Sequence, residues 1–253
     1  MDIEVSDELD GRVRALIWNR PAKKNAVTLA MYAQMAGALA DARDCDRVRA
    51  VRVAGAGGAF TSGNDLGDFM TQPNLGPDSP VLQFLDALAT FPKPLVATVE
   101  GVAVGVGVTM LLHCDLVLAS AGARFQLPFV ALGLCPEGGS SFLLPRLIGL
   151  QVASELLLWG EPFDASTAHR IGLVNEVLAE ADLGARAQAR LQRIVELPPG
   201  AVIASKELLR QAVRAPLQQA MQREAEAFRA RLLTEEAAEA LSAFFDKRKP
   251  RFP

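Results

Sequence analysis

The sequence predicts an α/β fold. Short apolar strands, glycine-rich loops and amphipathic helices follow one another as far as Ser141, and beyond it the pattern is almost wholly helical. Recurrence of strand, loop and helix argues for βαβ-type units with the chemistry on loops at strand ends. Half of the 253 residues are apolar, so one large domain or two small ones can bury a full core.

Ile3 to Val5 and Val13 to Trp18 flank the turn signal Asp7-Glu8-Leu9-Asp10-Gly11 and read as an antiparallel hairpin. Thr28 caps a helix running to about Arg43, with Leu29, Tyr32, Met35, Ala36 and Leu39 on one stripe. Ala50 to Ala54 is a short buried strand. The loop GAGGAFTSGNDLGDF follows, then a flexible connector from Pro73 to Pro80 and a helix from about Val81 to Thr90. Pro92 to Val99 is the next strand and leads into the glycine-rich EGVAVGVGVTMLLHCD, after which Leu116 to Ala119 forms another. Beyond Ser141 the one strand-like stretch is Leu173 to Val177. Pro198-Pro199-Gly200 marks a break. It divides the chain into a core over residues 1–195 and a C-terminal helical segment over 196–253. The helices of that segment, at about 201–213 and 216–247, are alanine-rich and are expected to pack on the core or on a neighbouring subunit.

Charge and cysteine usage exclude several function classes. The net charge is −3, and the only basic cluster, Lys247-Arg248-Lys249 with Arg251, is too small to argue for nucleic acid. Cys45, Cys114 and Cys135 lack CxxC spacing, and with only His113 and His169 they supply neither a disulfide framework nor a zinc site. No metal is expected, and a reducing cytoplasm fits best. The N-terminal MDIEVSDELDG is acidic, unlike a signal peptide. The longest apolar run, Val102 to Leu112, is broken by His113 and Asp115, so no membrane span is expected.

Three features point to chemistry. Gly55 to Leu66 places small residues after a strand, where the backbone turns sharply and exposes N–H groups, and Gly101 to Gly107 does the same after the next. Two such loops can each aim one N–H at a single oxygen and stabilise an oxyanion formed from a thioester carbonyl; alternatively, both are tight turns that serve packing alone. Dinucleotide binding is disfavoured because the second loop reads GxxxGxG rather than GxGxxG. Glu137, within GLCPEGGSSFLLPR, is the third feature, since Leu127 to Pro136 before it carry no charge. Burial there raises a carboxyl pKa and suits it to proton transfer near neutral pH. The competing reading is a solvated acid in a turn, feeding a helix whose positive end welcomes it.

The segments AFTSGNDL, GVAVGVGVTMLLHCDLVLAS and ARFQLPFVALGLCPEGGSSFLLPRLIG together resemble the signature regions of the enoyl-CoA hydratase/isomerase (crotonase) superfamily. The likeness runs from about Val13 to the C-terminal AFFDKRKPRF, and is nearest to the enoyl-CoA isomerase type with a single glutamate in a PEGG motif. It implies a crotonase-like spiral of repeated ββα units with a C-terminal helical region, assembled as a homotrimer or hexamer. It further implies an acyl-CoA substrate, with coenzyme A as part of that substrate and no separate cofactor, and an enolate intermediate. Carried over by position, the oxyanion amides are those of Asn64, after Gly63, and Val106, after Gly105.

Hydratases of this family carry two catalytic glutamates, and the matching positions here are Thr109 and Phe129. Adding water needs one group to activate the water and another to manage the α-proton, so losing both nearly abolishes that reaction. Glu137 instead falls where isomerases that move a 3-double bond of an enoyl-CoA to the 2-position place their single glutamate. Asp65 reads as a helix N-cap or structural acceptor. Asp68 reads as either that or the acid of an alternative hydratase-type reaction. Asp115 reads as structural and His113 as a satisfied core histidine. The segment Arg20 to Ala26 resembles the one that curves around the nucleotide, with Lys23 or Lys24 available to phosphate. Lys247 and Lys249 resemble C-terminal basic residues that reach phosphates from the same or a neighbouring subunit; Phe244 and Phe245 beside them read as adenine neighbours or as core, with core the better fit. A catalytically inactive CoA-binding scaffold is the remaining reading.

Overall fold

The computed structural model describes residues 2–71, 76 and 78–252; half of the connector expected over 73–80 lies outside them. The predicted hairpin forms. Strands β1 (Ile3–Glu8) and β2 (Val13–Trp18) pair antiparallel, with Ile3 opposite Trp18 and Glu8 opposite Val13, so the turn is confined to residues 9–12. From β2 onward the large sheet is parallel: β2, β3 (Ala50–Gly55), β4 (Leu95–Val99), β6 (Leu116–Ser120) and β9 (Glu176–Leu178) lie side by side in that order. Such strands read as continuous apolar runs because both faces are covered, and every residue of β4 is buried.

The chain enters a smaller sheet between strands of the large one. β5 (Val102–Val104) follows β4, β7 (Arg124–Gln126) follows β6, and the two pair parallel, with β8 (Phe163–Asp164) antiparallel beyond β7. After β3 a single bridge from Thr61 to Ala103 makes the same step. Repetition of large-sheet strand, small-sheet strand and helix generates the crotonase spiral. Strands of two or three residues carry too little pattern to be read from sequence, and β7 and β8 are both of that kind.

Helix α1 (Leu29–Asp44) starts where Thr28 accepts a hydrogen bond from the Met31 amide, and it buries Met31, Tyr32, Met35 and Leu39. The short helices α2 (Leu66–Thr71) and α4 (Val106–Thr109) follow the two glycine loops, and α3 (Pro80–Thr90) packs on α1. Next come α5 (Ser140–Ile148), α6 (Leu150–Ser154), α7 (Ala165–Arg170) and α8 (Glu180–Val195), which covers the outer sheet face with Leu191 and Val195 against Val13, Ala50 and Val96. The C-terminal segment departs from expectation. Helix α9 (Pro199–Leu232) runs unbroken through Pro216, and α10 (Glu235–Phe245) begins only after Thr234 accepts from the Ala237 amide. Pro216 denies a donor to the Ala212 carbonyl alone, both residues are exposed to solvent, and buried Leu217, Ala220, Phe228 and Leu232 anchor the helix regardless. The strand expected at 173–177 begins three residues later. Among the described residues no helix is long and apolar enough to cross a membrane.

Candidate active site

The two glycine loops run in register. From the Thr61–Ala103 bridge both chains proceed in parallel, and two residues on, Gly63 (φ 88°) and Gly105 (φ 55°) turn them through conformations that favour glycine. One residue further stand Asn64 and Val106. A Cβ on Gly63 would lie 2.8 Å from the Val104 carbonyl oxygen, so the loops touch. Val106 opens α4, where an amide has no intrahelical partner. The Asn64 amide donates to no backbone carbonyl among the described residues, although its neighbour Asp65 donates to Val27. Among the described residues, two amides without a backbone acceptor therefore stand at matched positions of the two loops.

Asn25 shapes the first loop, a role its sequence context does not announce. It is fully buried, and its Nδ2 donates to the carbonyls of Ala59 (2.7 Å) and Ala56 (2.9 Å) while its Oδ1 accepts from the Arg20 amide (2.8 Å). The Thr61 hydroxyl donates back to the Asn25 carbonyl at 2.7 Å. Its φ of 57° is a conformation that asparagine tolerates better than most residues.

Glu137 lies in the loop that enters α5 and is only 7% exposed, so it is not a solvated turn acid. Burial pushes its carboxyl up to about 7; the Thr109 hydroxyl, which donates to Oε1, opposes the rise and the nearby Glu224 carboxylate reinforces it. Thr109 thus supports the glutamate from a position where hydratases carry one of their own. Three residues fix the turn. The Ser140 hydroxyl donates to the Glu137 carbonyl at 2.6 Å, and His113 Nε2 donates to the Gly138 carbonyl at 2.7 Å. Glu224, on α9, accepts from the amides of Gly139 (2.6 Å) and Ser141 (2.9 Å) and from the Ser141 hydroxyl.

His113 is buried, which pushes its pKa down to about 4 and keeps the ring neutral; its Nδ1 finds no partner among the described residues. It is therefore a core histidine satisfied at one nitrogen only. The hydroxyl of buried Tyr32 donates to Asn64 Oδ1, and burial first, then the charge of Glu137, raises its pKa. Glu224 and Tyr32 are site residues that the sequence conceals. The available signal for Glu224 is its place on the apolar stripe of Leu217, Ala220 and Phe228.

A cleft of about 600 Å³ opens over the loops. Of the expected binding residues, Lys23, Gly63 and Gly105 line it together with Asn64, and so does Phe129, the other position of a hydratase acid. Lys24, Lys247 and Lys249 are exposed outside that lining. At the C-terminal edge stands Arg248, which already holds Glu239 through bonds of 2.5 and 2.9 Å. Phe244 and Phe245, expected in the core, are 58% and 50% exposed and line the cleft mouth. Helix α10 buries its Ala237, Ala240, Leu241 and Ala243 stripe, and the two rings lie at its last turn beyond it.

The remaining acids are engaged elsewhere. Asp65 accepts from Arg20 (2.6 Å) and from the Gly67 amide (3.0 Å), and Arg20 above all holds its carboxyl below the usual range. Asp68 accepts from the Leu29 amide (2.8 Å) at the start of α1. Asp115 accepts from the Leu95 amide (2.8 Å) and from Lys206 (2.6 Å), the structural role expected of it. Among the described residues no group of three or more His, Cys, Asp and Glu is placed to hold a metal.

Comparison with known proteins bears on the chemistry. The profile of the enoyl-CoA hydratase/isomerase family matches residues 10–253. Rat enoyl-CoA delta isomerase 2 is 39% identical over 249 residues, which are 96% of this chain; the match covers 63% of the rat protein's length. The 2,3-dehydroadipyl-CoA hydratase of Escherichia coli is 34% identical over 95% of each chain. Among solved structures, the enoyl-CoA hydratase/isomerase of Pseudoalteromonas atlantica T6c shares the fold over the whole of both chains, with a TM-score of 0.94 at 40% identity. Isomerases and hydratases thus both stand among the relatives, and what they share is a CoA-thioester substrate. With its paired glycine loops, its two-sheet spiral and this match, the chain belongs to the enoyl-CoA hydratase/isomerase family.

Proposed function

We propose that the protein is an isomerase that moves the double bond of a 3-enoyl-CoA to the 2-position, with Glu137 as its single acid and base. The observation that carries this reading is the state of Glu137: a buried carboxyl near pKa 7 that, among the described residues, accepts a hydrogen bond from Thr109 alone. Asp65 is held by an arginine and Glu224 by backbone amides, and neither Thr109 nor Phe129 can activate water.

The thioester oxygen accepts from the amides of Asn64 and Val106. Glu137 takes a proton from C2, and the C–H electron pair becomes the C1–C2 double bond as the carbonyl electrons move onto the thioester oxygen. The resulting dienolate takes the proton back from Glu137 at C4, so that the C3–C4 double bond moves to C2–C3 and the carbonyl re-forms. No atom is gained or lost, and one group suffices. Each oxyanion donor is worth about 3–4 kcal/mol on the usual mutational scale. A pKa near the working pH lets one carboxyl serve both half-reactions. In the same proposal Lys23 meets a CoA phosphate, coenzyme A is part of the substrate, and the enzyme acts in the cytoplasm as a homotrimer or hexamer.

The test offers wild-type enzyme a 3-enoyl-CoA and a 2-enoyl-CoA side by side. The first should be converted to the 2-enoyl isomer while the second is hydrated negligibly. Brisk hydration without isomerisation contradicts the proposal and directs attention to Asp68.

A further inference from the structure

The direction of an amide N–H is set by the carbonyl that shares its peptide plane, because the two point opposite ways across a rigid trans bond. For Val106 that carbonyl belongs to Gly105, and it accepts from the amides of Val108 (2.9 Å) and Thr109 (3.0 Å) within α4. For Asn64 it belongs to Gly63, and among the described residues its one backbone partner is the Val27 amide at 2.8 Å. The Val27 carbonyl in turn accepts from the Asp65 amide at 2.9 Å, which completes the parallel bridge between Val27 and Asn64. The Asn64 N–H therefore faces away from Val27. Its plane is held by one bond where the Val106 plane is held by two.

A second hold reaches Asn64 through its side chain. Tyr32 stands one turn into α1 and is only 1% exposed. Its ring packs against Phe84 of α3, with centroids 5.4 Å apart, and Phe84 meets Trp18 of β2 edge-on at 5.9 Å. A ring packed in this way cannot swing freely, and its hydroxyl donates to Asn64 Oδ1. We propose that Tyr32 is a positioning residue: through the Asn64 side chain it holds the Gly63–Asn64 peptide plane, and with it one of the two oxyanion donors. The inference rests on the isomerase reading above.

Val27 and Tyr32 belong to one continuous piece of chain, so the start of α1 grips Asn64 at two points, its peptide plane and its carboxamide. Asn64 is the right residue to grip, since it lines both the cleft and the smaller pocket that contains Glu137. The bond is also a durable one. A buried hydroxyl left without a partner costs about 1–3 kcal/mol, which favours the closed pair. Burial first, and then the charge of Glu137, raises the Tyr32 pKa, so the hydroxyl stays protonated and remains a donor wherever the base is ionised near neutral pH.

The experiment measures kcat and KM for a 3-enoyl-CoA with wild type, Tyr32→Phe, Asn64→Ala and the double variant, with thermal melts in parallel. Tyr32→Phe keeps the packed ring and removes the donor; Asn64→Ala keeps the backbone amide and removes the oxygen that Tyr32 binds. Losing an oxyanion donor outright costs about 10²–10³ in kcat, and loosening one should cost part of that. Each single variant should lower kcat about tenfold with KM within about twofold of wild type, the mark of an interaction made in the transition state alone. The double variant should lie within about twofold of the worse single variant, because both changes delete the same bond. Losses that multiply to about a hundredfold overturn the inference, since Tyr32 would then act independently of Asn64. A Tyr32→Phe enzyme with kcat within twofold of wild type, or one whose loss lies in KM alone, overturns it as well. If Tyr32→Phe does not fold, Asn64→Ala still decides, and an unchanged kcat there contradicts the proposal. Wild-type enzyme that isomerises no 3-enoyl-CoA overturns the isomerase reading itself, and this inference with it.

Discussion

A carboxyl that titrates near pH 7 must be ionised to start the reaction, so kcat/KM for isomerisation should rise as pH increases through about 7. A pH profile flat from 5 to 8 would contradict this. Thr109→Val deletes the hydrogen bond that opposes the effect of burial, and its limb should move to higher pH. The same shift bears on stability. With its folded pKa raised from 4.5 to about 7, the folded state holds the Glu137 proton more tightly than the unfolded chain does. The penalty for burying this carboxyl is therefore absent below pH 4.5, grows as pH rises, and is complete above about 7, at roughly 3 kcal/mol. Glu137→Gln should match wild type in thermal melts at pH 4 and exceed it at pH 8, with His113 unchanged in both proteins. Glu137 is legible because the run before it is uncharged. Tyr32 and Asn25 are not, because each acts through a partner more than 30 residues away, Asn64 for the one and the Ala56–Phe60 loop for the other.

At the scale of elements, the turn that carries Glu137 is held by a helix from the far end of the chain. Glu224 accepts two amides at the start of α5, so α9 positions the proposed base although it lies more than 80 residues away. Glu224→Gln keeps one acceptor oxygen but sets an NH₂ group against an amide hydrogen, which leaves a buried donor unpaired at about 1–3 kcal/mol. This variant should lose kcat about tenfold or more with little change in KM, and its acid limb should move to lower pH because a negative charge beside Glu137 is gone. Lost activity with an unmoved limb would leave Glu224 a purely structural acceptor. Proline signals mislead at this scale: Pro216 predicts a boundary, yet an exposed proline on a well-anchored helix interrupts nothing.

For the whole molecule, the succession of strand, glycine loop and helix makes the fold class legible, and the two glycine loops make the pairing of Gly63 with Gly105 legible with it. The spiral itself is not, since β5, β7 and β8 span only two or three residues each and are defined by pairing across the chain. The C-terminal segment is not an accessory. Met221, Glu224 and Phe228 line the pocket that contains Glu137, and Phe244, Phe245 and Arg248 border the cleft. Lys23 lines the cleft whereas Glu137 does not, so in the proposed reaction its charge binds ground and transition states alike. Lys23→Ala should raise KM for CoA thioesters several-fold with kcat nearly unchanged. Equal KM for wild type and variant across a salt titration would remove Lys23 from phosphate binding.

The most direct measurement compares wild type and Glu137→Gln in the conversion of a 3-enoyl-CoA, with CoA-thioester binding and thermal melting followed in parallel. Gln keeps the oxygen that Thr109 binds but cannot take a proton. The account predicts a folded variant that still binds CoA thioesters and isomerises at least about a hundredfold more slowly. A variant within tenfold of wild type would contradict it, because the proton at C2 would then be leaving to some other group.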